Sequence, residues 1–218
     1  MRTFAAIALL LAALAVAASA GARNPKDPQQ RHTAADTKLA KTLALRQSDF
    51  AVGWRPAPPD PNPPSCPAGP DESSLVQTAQ IDPTFIWKDG VTNIGSEVDI
   101  FRTAAMAETD WGLSTLDLFK TCLLWSARGE LPHSTVRVVS AKRLPKPAAT
   151  AERSLHYRLV FSIAHAGTTV PVVSDVIALG RGRETVVLHS FSIRTALPAS
   201  AMNELIRRLA NRLGTGGI

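Results

Sequence analysis

The chain has 218 residues, 24 of them Lys or Arg and 18 Asp or Glu, for a net charge of +6. That length suits one domain with a tail and one sizeable core. The modest positive excess favours solubility and contact with anionic surfaces. Its carriers Arg137, Lys142, Arg143, Arg158, Arg181, Arg183, Arg207, Arg208 and Arg212 are scattered in sequence, which suits a solvated face and gives no basic stripe for nucleic acid.

Residues 1–20 have the form of a cleaved secretory signal. Arg2 supplies a positive start, Phe4 to Ala18 is almost wholly apolar, and Ala18-Ser19-Ala20 is a small-residue cleavage signal. The apolar run falls short of the roughly 20 residues that a spanning helix needs. No later segment is longer or more apolar, so no integral membrane segment is expected after cleavage and the mature chain is expected to be secreted or extracytoplasmic. Residues 21–32 are polar with Pro25 and Pro28 and are predicted to be a flexible tether. Residues 33–218 are predicted to form a single α+β domain.

Thr33 and Asp36 mark a helix start, with the hydroxyl as cap and the acid in the first turn. Leu39 and Leu43 share its apolar stripe. Asp49-Phe50 and Gly53-Trp54 then turn the chain and offer two aromatics. Residues 56–70 are proline-rich; proline lacks the N–H of a ladder, so this tract is expected to lie extended along the surface. Phe50 and Trp54 at its mouth are candidates for an anchor or for a cleft wall.

The 75–87 segment alternates with Pro83 as a bulge or edge signal, and Lys88-Asp89-Gly90 is a hairpin turn. The next strand is predicted to point Ile94, Val98 and Ile100 inward and Asn93, Glu97 and Asp99 outward. Residues 104–128 are helical, with a break near Trp111 to Ser114. Trp111, Leu118, Cys122 and Trp125 fall on one apolar face, predicted to be buried, and Leu116, Phe119 and Leu123 on a second strip. Four strands follow at about 134–144, 153–165, 169–180 and 183–194, joined by tight turns and therefore antiparallel. The last is apolar at both parities and is predicted to be central. A final helix begins near Pro198, with Leu205, Ile206, Leu209 and Leu213 inward and Arg207, Arg208 and Arg212 toward water. The order α-ββ-α-ββββ-α predicts an α+β fold whose largely antiparallel sheet of about six strands is flanked by helices.

The chain has two cysteines, Cys66 and Cys122. An even count in an exported chain predicts a Cys66–Cys122 disulfide, which would staple the proline tract to the body.

Candidate chemistry is sparse. A serine hydrolase would need a nucleophile, base and acid in contact. His189 lies beside Ser190 and Asp175 is on the neighbouring hairpin strand, but there is no Gly-x-Ser-x-Gly elbow, and mid-strand His and Asp serve more often as interstrand partners. His32, His133, His156, His165 and His189 are too dispersed for a metal motif. Glu97 and Asp99 alternate on one strand face and would take a cation if a third acid joined them; a solvated face explains them equally.

The run from Leu45 to Trp54 (Leu-x-x-x-Asp-Phe-x-x-Gly-Trp), a following Cys, two strands, an apolar helix with a second Cys, a meander and an Arg-rich last helix together resemble a family of secreted actinobacterial α/β proteins. The pattern is similar to the extracellular sensor domain of mycobacterial Ser/Thr protein kinases and, more remotely, to PsbP-like folds, over residues 35–213. The resemblance implies a non-catalytic cell-envelope domain that binds an unknown small ligand or envelope partner, without catalytic residue, cofactor or metal, and as a monomer. A structural or interaction protein without small ligand is the alternative; a hydrolase using His189 and Asp175 comes last.

Overall fold

The structure, a computed structural model, describes residues 25–58, 66–130, 134–147, 151–165 and 167–215. The signal segment 1–20 and the middle of the proline tract lie outside the described residues.

One mixed, mostly antiparallel sheet carries the fold. Its strands are β1 (Gln29–Gln30), β2 (Trp54–Pro56), β3 (Val76–Ile81), β4 (Thr84–Trp87), β5 (Thr92–Phe101), β6 (Thr135–Arg143), β7 (Arg153–His165), β8 (Thr168–Arg181) and β9 (Glu184–Ile193). The helices are α1 (Ala34–Leu43), α2 (Ala104–Leu113), α3 (Leu116–Glu130) and α4 (Ala199–Thr215). The order across the sheet is β1-β3-β5-β9-β8-β7-β6, with β4 also on β5 and β2 on β4. The apolar β9 sits at the centre, where both its faces are covered.

The described sheet has nine strands, three more than the sequence predicts, and each addition has a local cause. Pro83 has no N–H, so the predicted 75–87 strand is interrupted there. Its two halves nevertheless keep one register on β5, Ile81 facing Val98 and Thr84 facing Gly95. Gln29–Gln30, assigned above to the tether, pairs parallel with β3, the Gln29 and Arg31 N–H groups donating to Leu75 and Gln77 carbonyls at 2.8 Å. β2 follows Gly53, whose φ of 110° suits a residue without Cβ; a Cβ there would also lie 2.7 Å from the Trp87 ring.

Caps place the helices. Thr33 Oγ1 accepts the Asp36 N–H at 3.1 Å and starts α1. The predicted 104–128 helix breaks at Ser114, and Thr115 Oγ1 accepts the Leu118 N–H at 3.2 Å to start α3.

Residues paired across antiparallel strands share a face, so the register sorts the sheet into two sides. On the first face, Ile94, Val98, Ile100, Ile177, Leu179, Val186 and Leu188 pack under α1 and α4, against Leu43, Ile206 and Leu209. On the second face, Leu155, Tyr157, Leu159, Phe161, Ile163 and Val172 pack under α3. Each face is therefore apolar over only part of its width.

One inward and one outward assignment are corrected. The strip of α3 that meets the sheet is Leu116, Phe119 and Leu123, not the one holding Cys122 and Trp125. Trp125 is 40% exposed and Cys122 only half-buried. Helical spacing identifies stripes, but with two neighbouring apolar stripes it cannot say which one the sheet selects. The second correction concerns the arginines. Arg183 bonds Asp36 Oδ2 at 3.0 Å and the Phe101 carbonyl at 3.2 Å, and Arg212 bonds Asp49 and the Ala44 carbonyl, so both are tie-points rather than solvated charges.

Candidate functional site

The predicted aromatics at the mouth of the proline tract come together. Phe50 stacks between Trp54 at 5.1 Å and Phe85 at 4.6 Å, and Trp54 meets Trp87 at 5.4 Å. Both Phe50 and Trp54 pack against the first core. Cys66 and Cys122 are joined by a disulfide.

His189 and Asp175 do not meet as a hydrolase would require. Asp175 faces Ser190 across β8–β9, whereas His189 faces Val176. Side chains alternate along a strand, so His189 lies on the second face and Asp175 with Ser190 on the first. His189 instead crosses β5 over Gly95: a Cβ at Gly95 would run into the imidazole Nε2 and lie 2.8 Å from Thr84 Oγ1.

Asp175 has other partners. Its side chain is 1% exposed and receives Arg158 Nε at 2.8 Å on Oδ1, Arg158 Nη2 at 2.9 Å on Oδ2, and His156 Nε2 at 2.9 Å. Burial pushes the carboxyl up, but the His156 and Arg158 hydrogen bonds outweigh it and hold Asp175 below its ordinary value. This is a paired structural carboxylate. Asp36 is similar: the hydrogen bond from Arg183 holds it down at about 2 against its burial.

A second group of carboxylates has a different setting. Glu97 and Asp99 of β5, predicted to face solvent, project from the second face beneath α2. Asp99 is 8% exposed and Glu97 half-buried. They point the way the alternation requires; what the sequence did not reveal is that α2 and the segment before β3 lie over that side. Asp110 of α2, Glu72 before β3 and Asp82 at the β3–β4 corner lie within electrostatic reach of this pair, and each is partly accessible.

The polar partners here are amides. Gln77 Nε2 donates to Asp99 Oδ1 at 2.8 Å, Gln80 Nε2 to Glu97 Oε1 at 3.0 Å, and Gln30 Nε2 to Gln77 Oε1 at 2.8 Å. Burial therefore dominates. Helped by the Asp82, Asp110 and Glu72 charges and opposed by the Gln80 hydrogen bond, it raises Glu97 to about 8. Asp99 is raised well above its ordinary value by burial and by Glu97. Glu72 rises to about 7 by burial and by Asp110 and Asp27, and Asp110 to about 6 by burial, against the pull of Arg153. Asp82 is raised by burial. Five carboxylates raised by burial, several of them also by one another's charge, form the chain's most perturbed group among the described residues. The arrangement supplies acceptors and negative charge over a partly open floor. Among the described residues no three His, Cys, Asp or Glu side chains converge closely enough for a metal ion.

Sequence reasoning named Glu97 and Asp99 as a possible cation pair lacking a third acid. Asp110, Glu72 and Asp82 act on the pair electrostatically, but among the described residues none comes close enough to complete a metal site. No spacing rule links Glu72, Asp82 and Asp110 to β5, so the sequence held no signal for them.

No protein-family model matches the chain, and no curated protein matches its sequence significantly. Among solved structures the chain is similar to the extracellular domain of PknH from Mycobacterium tuberculosis, with a TM-score of 0.45 and 10% identity over 82% of this chain and 96% of that one. It is also similar to LpqN, involved in cell envelope biogenesis of Mycobacterium tuberculosis, with a TM-score of 0.27 and 15% identity over 75% of this chain and 76% of that one. Both are mycobacterial extracellular or envelope proteins, the class that the sequence resembles. At these scores neither likeness carries the functional argument, which rests on this chain's own residues.

Proposed function

We propose that this chain is an exported, non-catalytic domain of the cell envelope that binds a small ligand in the recess beneath α2. The observation that carries the reading is the group of five carboxylates at Glu72, Asp82, Glu97, Asp99 and Asp110, most of them without an ion-pair partner among the described residues. Burying acids without counter-charge costs stability, and perturbed, partly accessible carboxylates gather at sites that meet a ligand. Export is supported by the leader-like residues 1–20 and by the Cys66–Cys122 bond, since such bonds persist in oxidising compartments. Among the described residues no helix is long and apolar enough to cross a membrane.

Native mass spectrometry of protein purified from the exported fraction tests the reading. A co-purified mass adduct is expected in the wild type and absent from Asp99→Asn. Protein that carries no adduct and shows no thermal shift with a metabolite library would overturn it. A second reading, an envelope interaction surface without small ligand, draws on the first face of β6, where Arg137 and Lys142 are exposed. Capture of an envelope component that Arg137→Glu abolishes and Asp99→Asn leaves intact would favour that reading.

A further inference from the structure

Five of the chain's 18 acidic residues crowd one recess of a protein that is basic overall, and beside them stands a buried hydroxyl with nothing to bond. Thr185 is 3% exposed, and its Oγ1 has no hydrogen-bond partner among the described residues. Thr185 is the cross-strand neighbour of Asp99, so both side chains leave the sheet on the second face with Cβ atoms about 5 Å apart. A buried, unused hydroxyl costs free energy unless something completes it.

The surroundings define what would complete it. Gln77 and Gln80 already give one amide N–H each to Asp99 and Glu97, and the second carboxyl oxygens of Asp99 and Glu97 keep capacity to accept hydrogen bonds. Arg153 approaches Asp110; its two terminal nitrogens bond Glu108 at 2.8 Å and the Gly182 carbonyl at 3.0 Å, and its buried Nε, over Gly180 beside Thr185, has no hydrogen-bond partner among the described residues. The acids are spread too widely for a metal ion. An alkylammonium group carries three donors, one positive charge and no acceptor, and it suits a floor of acceptors and carboxylates.

We infer that the recess formed by Glu97, Asp99, Asp110 and Thr185 is a binding site for an organic cation bearing primary amines, with Asp99 and Thr185 as the deep contacts and Glu72 and Asp82 at the rim. This rests on the ligand-binding reading above. The charged groups that face the recess are Glu72, Asp82, Glu97, Asp99 and Asp110, with Asp27 beside Glu72 and Arg153 beside Asp110. Binding an ammonium there favours the ionised carboxylates and therefore releases protons to the solvent.

Isothermal titration calorimetry of the exported protein at pH 7.5 tests the inference in two arms. One uses spermidine, a free polyamine; the other uses a soluble cell-wall peptide with a free side-chain amine. Saturable binding is expected in at least one arm, which assigns the source, with heats that differ between buffers of different ionisation enthalpy because protons are released. Asp99→Asn and Glu97→Gln are each expected to weaken binding by about tenfold or more, and Thr185→Val by a smaller factor of about threefold. Asparagine replaces a carboxyl already biased toward its protonated form, so the variant keeps the fold. No binding in either arm overturns the inference, as does binding that Asp99→Asn leaves unchanged or that sodium chloride at matched ionic strength reproduces. A co-purified ligand without an amine that is lost from Asp99→Asn would overturn the inference alone and leave the ligand-binding reading standing.

Discussion

Two places in this sheet bury carboxylates, and they resolve the cost in opposite ways. On the first face Asp175 is enclosed by Arg158 and His156, each within 2.9 Å, and its carboxyl is held below its ordinary value. On the second face Asp99 and Glu97 have glutamine amides and other acids for company, and both are raised. The same residue type under similar cover becomes a structural tie in one case and an unbalanced recess in the other. A guanidinium in register accounts for the difference: Arg158 is the cross-strand partner of Asp175, whereas Asp99 faces Thr185 and Gln80.

The largest expected effect separates the two regions by their roofs. Reducing Cys66–Cys122, which spans 56 residues, is expected to cost about 4 kcal/mol in the chain-entropy account. Hydrogen exchange should then rise first in α3, which carries Cys122, and in α2 beside it on the second face, while α1 and α4 over the first face stay protected. Because Cys122 is only half-buried, Cys66→Ser and Cys122→Ser should agree within about 1 kcal/mol in urea melts. A much worse Cys122→Ser would mean that its stripe of α3 is buried after all.

Next comes Asp175→Asn. It leaves Arg158 and His156 without their anion and is expected to cost about 3 kcal/mol, read from denaturant midpoints at neutral pH. A cost below about 1 kcal/mol would reduce the contrast to two ordinary polar sites.

The pH dependence should run in opposite senses in the two regions. Glu97, Glu72 and Asp110 have folded values raised to about 8, 7 and 6, above those of the unfolded chain. The folded state therefore binds more protons, and this contribution, complete below about pH 4, is lost as pH rises through 6 to 8. Asp36, held at about 2, and Asp175 contribute stability above about pH 4 that is lost on acidification. Stability is expected to fall by about 2 kcal/mol per pH unit between pH 6 and 8. Asp99→Asn should raise the melting temperature at pH 7.5, gaining about 1–2 kcal/mol, flatten that slope, and change nothing at pH 4. A melting temperature that is flat or rising from pH 6 to 8 would remove the recess from the account.

The smallest effect belongs to neither region. Trp125→Gln, on the outward stripe of α3, should cost under about 1 kcal/mol by thermal melt, whereas Phe119→Ala, packed on Tyr157 at 5.8 Å, should cost about 3 kcal/mol.

Much of the architecture was legible locally. Alternation located the strand segments, Lys88-Asp89-Gly90 marked its hairpin, Thr33 marked a helix start, and the apolar β9 announced its central place. These signals depend on neighbours a few residues apart, where steric limits and hydrogen-bond accounting act directly. Pro83 was legible as an interruption, but not the register that continues across it, because register belongs to the pairing with β5. The candidate site was legible only in part: Glu97 and Asp99 showed as a pair on one side of a strand, without cover and without a third acid.

The sequence by itself thus determined which side chains share a face, where the chain turns, and that two cysteines were available to bond. Tertiary structure alone decided what lies over each face. It put α2 and Asp110 above Glu97 and Asp99, gave Arg158 to Asp175 and withheld such a partner from Asp99, and placed His189 on the opposite side of the sheet from Asp175. The physical reason is range. A period of two or of 3.6 residues is set by the backbone within each element, whereas the dielectric, the counter-charges and hence the protonation of a buried carboxylate are set by atoms brought from far along the chain.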